Sequence, residues 1–84
     1  MNAWSNILSG RQLRAARTLA GLTQSELSTE AGFGPRACRY WESRGDNLPT
    51  STQQSLESIE AALLRHGVEV FANPTAGCRL ASTK

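Results

Sequence analysis

The stretch Thr23–Glu42, T-Q-S-E-L-S-T-E-A-G-F-G-P-R-A-C-R-Y-W-E, constrains this chain more than any other. Thr23 has the hydroxyl of a helix cap, and Glu26, three positions on, completes a capping box. Leu27 and Ala31 stand four apart and share a helical face. Ala31-Gly32-Phe33 breaks the period, because Gly reaches turn conformations that a Cβ disfavours. Pro35 then opens a second helix, where its missing N–H is no loss. That helix turns Cys38 and Trp41 inward and Arg36, Arg39 and Tyr40 outward. Two short helices about a glycine turn, with arginines on the open face of the second, form the pattern of a helix-turn-helix. In such a motif the second helix enters the DNA major groove.

The flanks supply a body for this pair. Ser9 caps a helix over Gly10–Ala20, with Gln12 as its reciprocal partner. Leu13, Ala16, Arg17 and Ala20 share one face. A charge at Arg17 on an apolar stripe demands a partner. Gly21 ends the helix as a left-handed cap, and Leu22 drops into the core. A polar loop over 43–50 has Leu48 as its apolar anchor. A fourth helix runs from about Ser51 to His66, with Leu56, Ile59, Ala62 and Leu63 inward. Gly67 stops it, and His66 suits the negative end of the helix dipole.

The tail changes period. Val68–Phe71 and Cys78–Ala81 are short strand-like runs with turn formers between them, the pattern of a β-hairpin. A lone hairpin is marginal in water. It must pack on the fourth helix or pair its edge with a second copy, which makes Val68, Val70, Phe71, Cys78 and Leu80 candidate dimer residues. At the other end, Trp4, Ile7 and Leu8 have helical spacing. They read equally as a short turn folded onto the body or as a frayed end with one anchor.

At 84 residues the chain is one small domain, and its net charge of +2 is a weak argument for nucleic acid. The distribution says more. Arg11, Arg14, Arg17, Arg36, Arg39 and Arg44 outnumber Glu26, Glu30 and Glu42, whereas the chain beyond Gly45 is slightly acidic. Arginine suits bidentate contacts to phosphate and guanine. Cys38 and Cys78 make no disulfide framework, and no His/Cys cluster suggests zinc. His66 is the only histidine, and no nucleophile–base set is visible, so neither enzymatic activity nor a cofactor is expected. With no charged-then-apolar leader and no apolar run of membrane length, the expected place is the reducing cytoplasm, at the nucleoid.

The order R-Q-L-R-A-A-R-T-L-A-G-L-T-Q-S-E-L-S-T-E-A-G-F, followed by W-E, closely resembles the Cro/C1-type (XRE) helix-turn-helix family, which includes the lambdoid phage repressors. The match covers Ser9 to about Gly67. The tail G-V-E-V-F-A-N-P-T-A-G-C-R-L resembles short bacterial members that end in a strand pair. The resemblance implies a mainly α fold. Over residues 9–67 it would be a lambda-repressor-like four-helix domain, with a C-terminal β-hairpin over 68–81. It implies that Arg17 pairs with Glu42. It also places Pro35, Arg36 and Tyr40 at base edges, with Arg39 in reach of a base or a phosphate, and Gln24 at a phosphate; Thr23, Ser25 and Arg44 are further candidates for phosphate contact. The chain departs from the family at Gly34, where Ser or Thr usually caps the third helix. Gly caps less well by about a few tenths of a kcal/mol.

The expected function is a DNA-binding transcriptional regulator, a repressor, that binds an inverted-repeat operator as a homodimer with the third helix (about 35–43) in the major groove. The alternative is a protein-interaction module on the same scaffold, an antitoxin or an anti-activator.

Overall fold

The structure, a computed structural model, describes residues 5–45, 48, 52–72 and 75–81. It is mainly α: four helices, then a two-stranded antiparallel sheet. The elements are α1 (Gly10–Ala20), α2 (Gln24–Glu30), α3 (Ala37–Glu42), α4 (Gln53–Arg65), β1 (Val68–Phe71) and β2 (Gly77–Leu80).

Local chemistry sets the first two helices. The Ser9 hydroxyl accepts the Gln12 N–H, and α1 ends at Gly21, whose φ of 76° is the left-handed cap. At α2 both halves of the capping box form: Glu26 N–H donates to Thr23 Oγ1 at 3.0 Å, and Thr23 N–H donates to Glu26 Oε1 at 2.8 Å. Gly32, at φ 92°, turns the chain after α2.

The third helix starts later than Pro35. Its first helical residue is Ala37, Arg36 holds the cap position, and no side-chain cap bond forms there. The cause is Gly34 and its missing hydroxyl. The cap comes from another helix instead. Ser28, fully buried on α2, donates its hydroxyl to Gln24 O at 2.7 Å and accepts the buried Cys38 N–H at 2.9 Å. Ser28→Ala leaves that amide without an acceptor, so it is expected to lower stability by about 1–3 kcal/mol. Urea unfolding at constant m reads the loss; an unchanged midpoint would mean that water or another acceptor satisfies Cys38.

α4 is shorter than its apolar spacing suggests, starting at Gln53 and ending at Arg65, with His66 as its cap residue. Ser51 lies outside the described residues. Leu56, Ile59, Ala62 and Leu63 face a core completed by Ile7, Leu13, Ala16, Leu27, Cys38, Trp41, Val68 and Val70.

The hairpin packs on α1 and α4 of its own chain. Val68 pairs with Leu80, Glu69 with Arg79, Val70 with Cys78 and Phe71 with Gly77. β2 begins one residue before the expected Cys78, and Ala81 N–H extends the ladder to Gly67 O at 2.7 Å. Asn73 and Pro74 of the turn lie outside the described residues. Gln12 is the clasp: its amide donates to Phe71 O at 2.8 Å and Gly77 O at 3.2 Å, and its oxygen accepts Leu8 N–H at 2.6 Å. Gln12 therefore does not reach back to Ser9 as the second half of a capping box.

The N-terminal segment is not helical over residues 5–8. Ile7 is fully buried, but Leu8 is 46% exposed, so the two do not share an inward face. The segment is tied to α4 through Glu60, which accepts Ser5 Oγ at 3.0 Å, Asn6 N–H at 2.8 Å and Asn6 Nδ2 at 2.9 Å. Trp4 lies outside the described residues.

Candidate nucleic-acid interface

α3 has two unlike faces. Cys38 and Trp41 are buried, and Trp41 meets Phe33 edge-on at 5.5 Å between ring centroids. Arg39 and Tyr40 stand exposed on the opposite face, with Pro35 and Arg36 exposed just ahead of the helix. Burial also holds the Cys38 thiol above its ordinary pKa, which keeps the inward face uncharged.

The end of α3 is held by a charged brace. Glu42, 5% exposed at its side chain, accepts Arg17 Nε at 2.6 Å and Arg17 Nη2 at 3.2 Å. The third arginine nitrogen, Nη1, donates to Leu22 O at 2.8 Å, and Gln24 Nε2 donates to Glu42 Oε1 at 3.0 Å. The hydrogen bonds to Glu42 raise the Arg17 pKa above its ordinary value, although burial pulls it down. One guanidinium therefore ties α1, the α1–α2 turn and α3 together. Gln24 is half-buried and has one amide donor committed to this brace, so it acts on α3.

Close backbone packing completes the joint. A Cβ placed on Gly10 would lie 2.6 Å from Trp41 O and 2.8 Å from Glu42 O. The Gly10 N–H donates to Gly45 O at 2.6 Å. The start of α1 and the end of α3 thus meet where only hydrogen fits.

Arg44 follows α3 and folds back on it. Its guanidinium lies 5.5 Å from the Tyr40 ring centroid, and Nη1 donates to Tyr40 Oη at 3.0 Å. Arg36, Arg39, Tyr40 and Arg44 thus belong to one small exposed region, linked through Glu42 to Gln24. Ser25 is exposed on the first turn of α2, and Thr23 Oγ1 already accepts the Glu26 N–H.

The hairpin candidates divide. Val68 and Val70 turn their side chains into the chain's own core, at 0% and 7% exposure, so only their backbone is available to a partner. Phe71 and Cys78 are half-buried, with Arg79 over the Phe71 ring at 5.2 Å. Leu80 is open at 65% exposure.

Three residues that hold this arrangement carry no local motif, Gly10, Ser28 and Glu60, and the local motif of Gln12 points to a partner other than the ones it meets. Their neighbours in sequence do not announce their partners. Among the described residues, no group of three His, Cys, Asp or Glu side chains is placed to hold a metal ion, and no helix is long and apolar enough to cross a membrane. No protein-family model matches the chain, and no curated protein sequence matches it.

Proposed function

We propose that this chain is a sequence-specific DNA-binding transcriptional regulator of the lambda-repressor-like helix-turn-helix form. It acts as a repressor, binding an inverted-repeat operator as a homodimer. The observation that carries this reading is the outward face of α3: Arg39 and Tyr40 exposed on the helix and Arg36 exposed at its cap position, with the Arg17–Glu42–Gln24 brace tying α3 to α1 and α2. A helix of six residues is about 9 Å long, short enough to sit across a major groove about 12 Å wide. Arg36 favours the O6 and N7 acceptors of guanine, and Tyr40 reads beside it. Arg44, held by Tyr40, and Gln24 and Ser25 at the start of α2 face the phosphates and set the register.

One such helix distinguishes only a few base pairs, each at about 1–3 kcal/mol, too little against the competing sites of a genome. Two copies double the discrimination, and two-fold symmetry turns it into an inverted repeat. The hairpin offers an edge for that symmetry. Alternation from the Ala81–Gly67 bond leaves the backbone groups of Val68 and Val70 on β1, and of Cys78 and Leu80 on β2, directed away from the paired strand.

Selection of duplexes from a random pool, followed by footprinting on DNA flanking the protein's own gene, tests this function. The expected product is an inverted repeat with half-site centres about 34–36 Å apart. A pool that yields no enriched sequence removes the proposal. Arg36→Ala is expected to weaken the selected duplex by about 1–3 kcal/mol while largely sparing random DNA. Equal losses on both would take Arg36 off the base edges.

A further inference from the structure

We propose that α1 carries a phosphate-binding site that extends the DNA interface beyond α3, formed by Arg14 and Arg39 across the groove between α1 and α3. This inference rests on the DNA-binding function proposed above and extends it to α1, to which that function gives no contact. The groove is shallow and lined by Arg14, Arg17, Gln24, Arg39, Glu42 and Ser43. Its single carboxylate is already engaged, since both Glu42 oxygens accept from Arg17 and one also accepts from Gln24. Arg17 is therefore neutralised, and Arg14 and Arg39 are not.

Three arginines elsewhere sharpen the contrast. Arg65 pairs with Glu30 and Arg79 with Glu69, while Arg44 is held by Tyr40. Among the described residues, neither Arg14 nor Arg39 has a carboxylate, carbonyl or ring partner. Arginines at α4 and the hairpin are matched by acids. Two at this groove are exposed and unmatched, on separate helices that converge on one depression. Two cations that line one depression disfavour each other, and an anion bound between them is attracted to both. The anion that fits beside a helix seated in the major groove is a backbone phosphate, which a guanidinium binds as a planar fork. The site assigns Arg39 to phosphate and leaves base reading to Arg36 and Tyr40. It also brings into the interface Arg14, which lies on neither of the two helices about the glycine turn.

The test compares full-length protein with Arg14→Gln, Arg39→Gln and the double variant, using a duplex selected by the protein and a random duplex of equal length. Both positions are exposed, so folding is checked only by circular dichroism. Arg65→Gln removes the same charge from α4 and controls for long-range attraction. Each groove variant is expected to weaken both duplexes by the same factor. It should also lower the slope of log affinity against log salt by about 0.9, so that the gap to the unaltered protein narrows about threefold between about 50 and about 200 mM salt. Loss confined to the selected duplex makes the residue a base reader and overturns the site. An unchanged slope, or a change equal to that of Arg65→Gln, overturns it as well. If the unaltered protein binds neither duplex, the DNA-binding function and this site fall together; if it binds both and Arg14→Gln is silent, only the site falls.

Discussion

Arg17→Met is expected to destabilise the fold by about 3–5 kcal/mol, measured as a lower urea midpoint at unchanged m. The loss comes from the partner left behind. Glu42 is 5% exposed at its side chain and takes both strong donors from Arg17, so removing the guanidinium strands a carboxylate in a place that water scarcely reaches. Arg17→Lys should fall between, because an ammonium keeps the charge but cannot make the two-pronged contact or reach Leu22 O at the same time. Arg17→Met combined with Glu42→Leu should recover most of the loss, since two apolar side chains leave no buried charge. A loss below about 1 kcal/mol for Arg17→Met would place the pair with ordinary surface ion pairs and contradict the burial. The double variant also separates stability from function. It removes the acceptor of Gln24 and the anchor at the end of α3. DNA affinity should therefore fall even where stability returns, if α3 needs the brace to hold its angle.

The second large effect is Gly10→Ala, expected to cost about 1–3 kcal/mol or more. Alanine is ordinarily the better helix residue, by about 1 kcal/mol in a helix interior, and at Gly10, the first residue of α1, propensity alone would still favour it by a smaller margin. The sign reverses here because the new methyl group meets two backbone carbonyl oxygens, Trp41 O at 2.6 Å and Glu42 O at 2.8 Å. Neither can rotate away as a side chain would. The helices must separate by several tenths of an ångström, and the separation pulls on the Gly10–Gly45 hydrogen bond and on the Arg17–Glu42 contact. A midpoint equal to or above that of the unaltered protein would show that α1 and α3 slide past each other without cost. Coupling between Gly10→Ala and Arg17→Met, measured as a double-mutant cycle, should be non-additive because both act on one joint.

Features whose causes lie within one turn of chain were legible in the sequence. The bounds of α1 follow from Ser9 and Gly21, and the capping box of α2 from Thr23 and Glu26. The inward pair Cys38 and Trp41 and the outward pair Arg39 and Tyr40 follow from helical spacing. The demand that Arg17 have a partner is also local, because a charge on an apolar stripe is costly whatever surrounds it. Which residue meets that demand came only from likeness to a family, since nothing in the spacing of Arg17 and Glu42 singles out the pair.

The later start of α3 shows where local inference stops. Pro35 is a good first residue for a helix, but Gly34 supplies no cap, and the acceptor that α3 needs sits on Ser28 of the preceding helix. Gln12 stands three residues from Ser9, the place of a capping partner, yet its amide clasps carbonyls 59 and 65 residues away. Glu60 gathers donors from Ser5 and Asn6 at separations of 55 and 54 residues. The hairpin strands were visible as a change of period, but not the core-facing fate of Val68 and Val70. Sequence by itself determined the bounds of α1, the capping box of α2 and which face of α3 is charged, because these depend on backbone conformation and on side chains a few residues apart. Only the tertiary structure decided what holds α3 in place: the Ser28 cap, the three-donor Glu42 brace and the hydrogen-sized gap at Gly10. Such contacts join segments that are distant in the chain, and their free energy exists only once those segments are packed together.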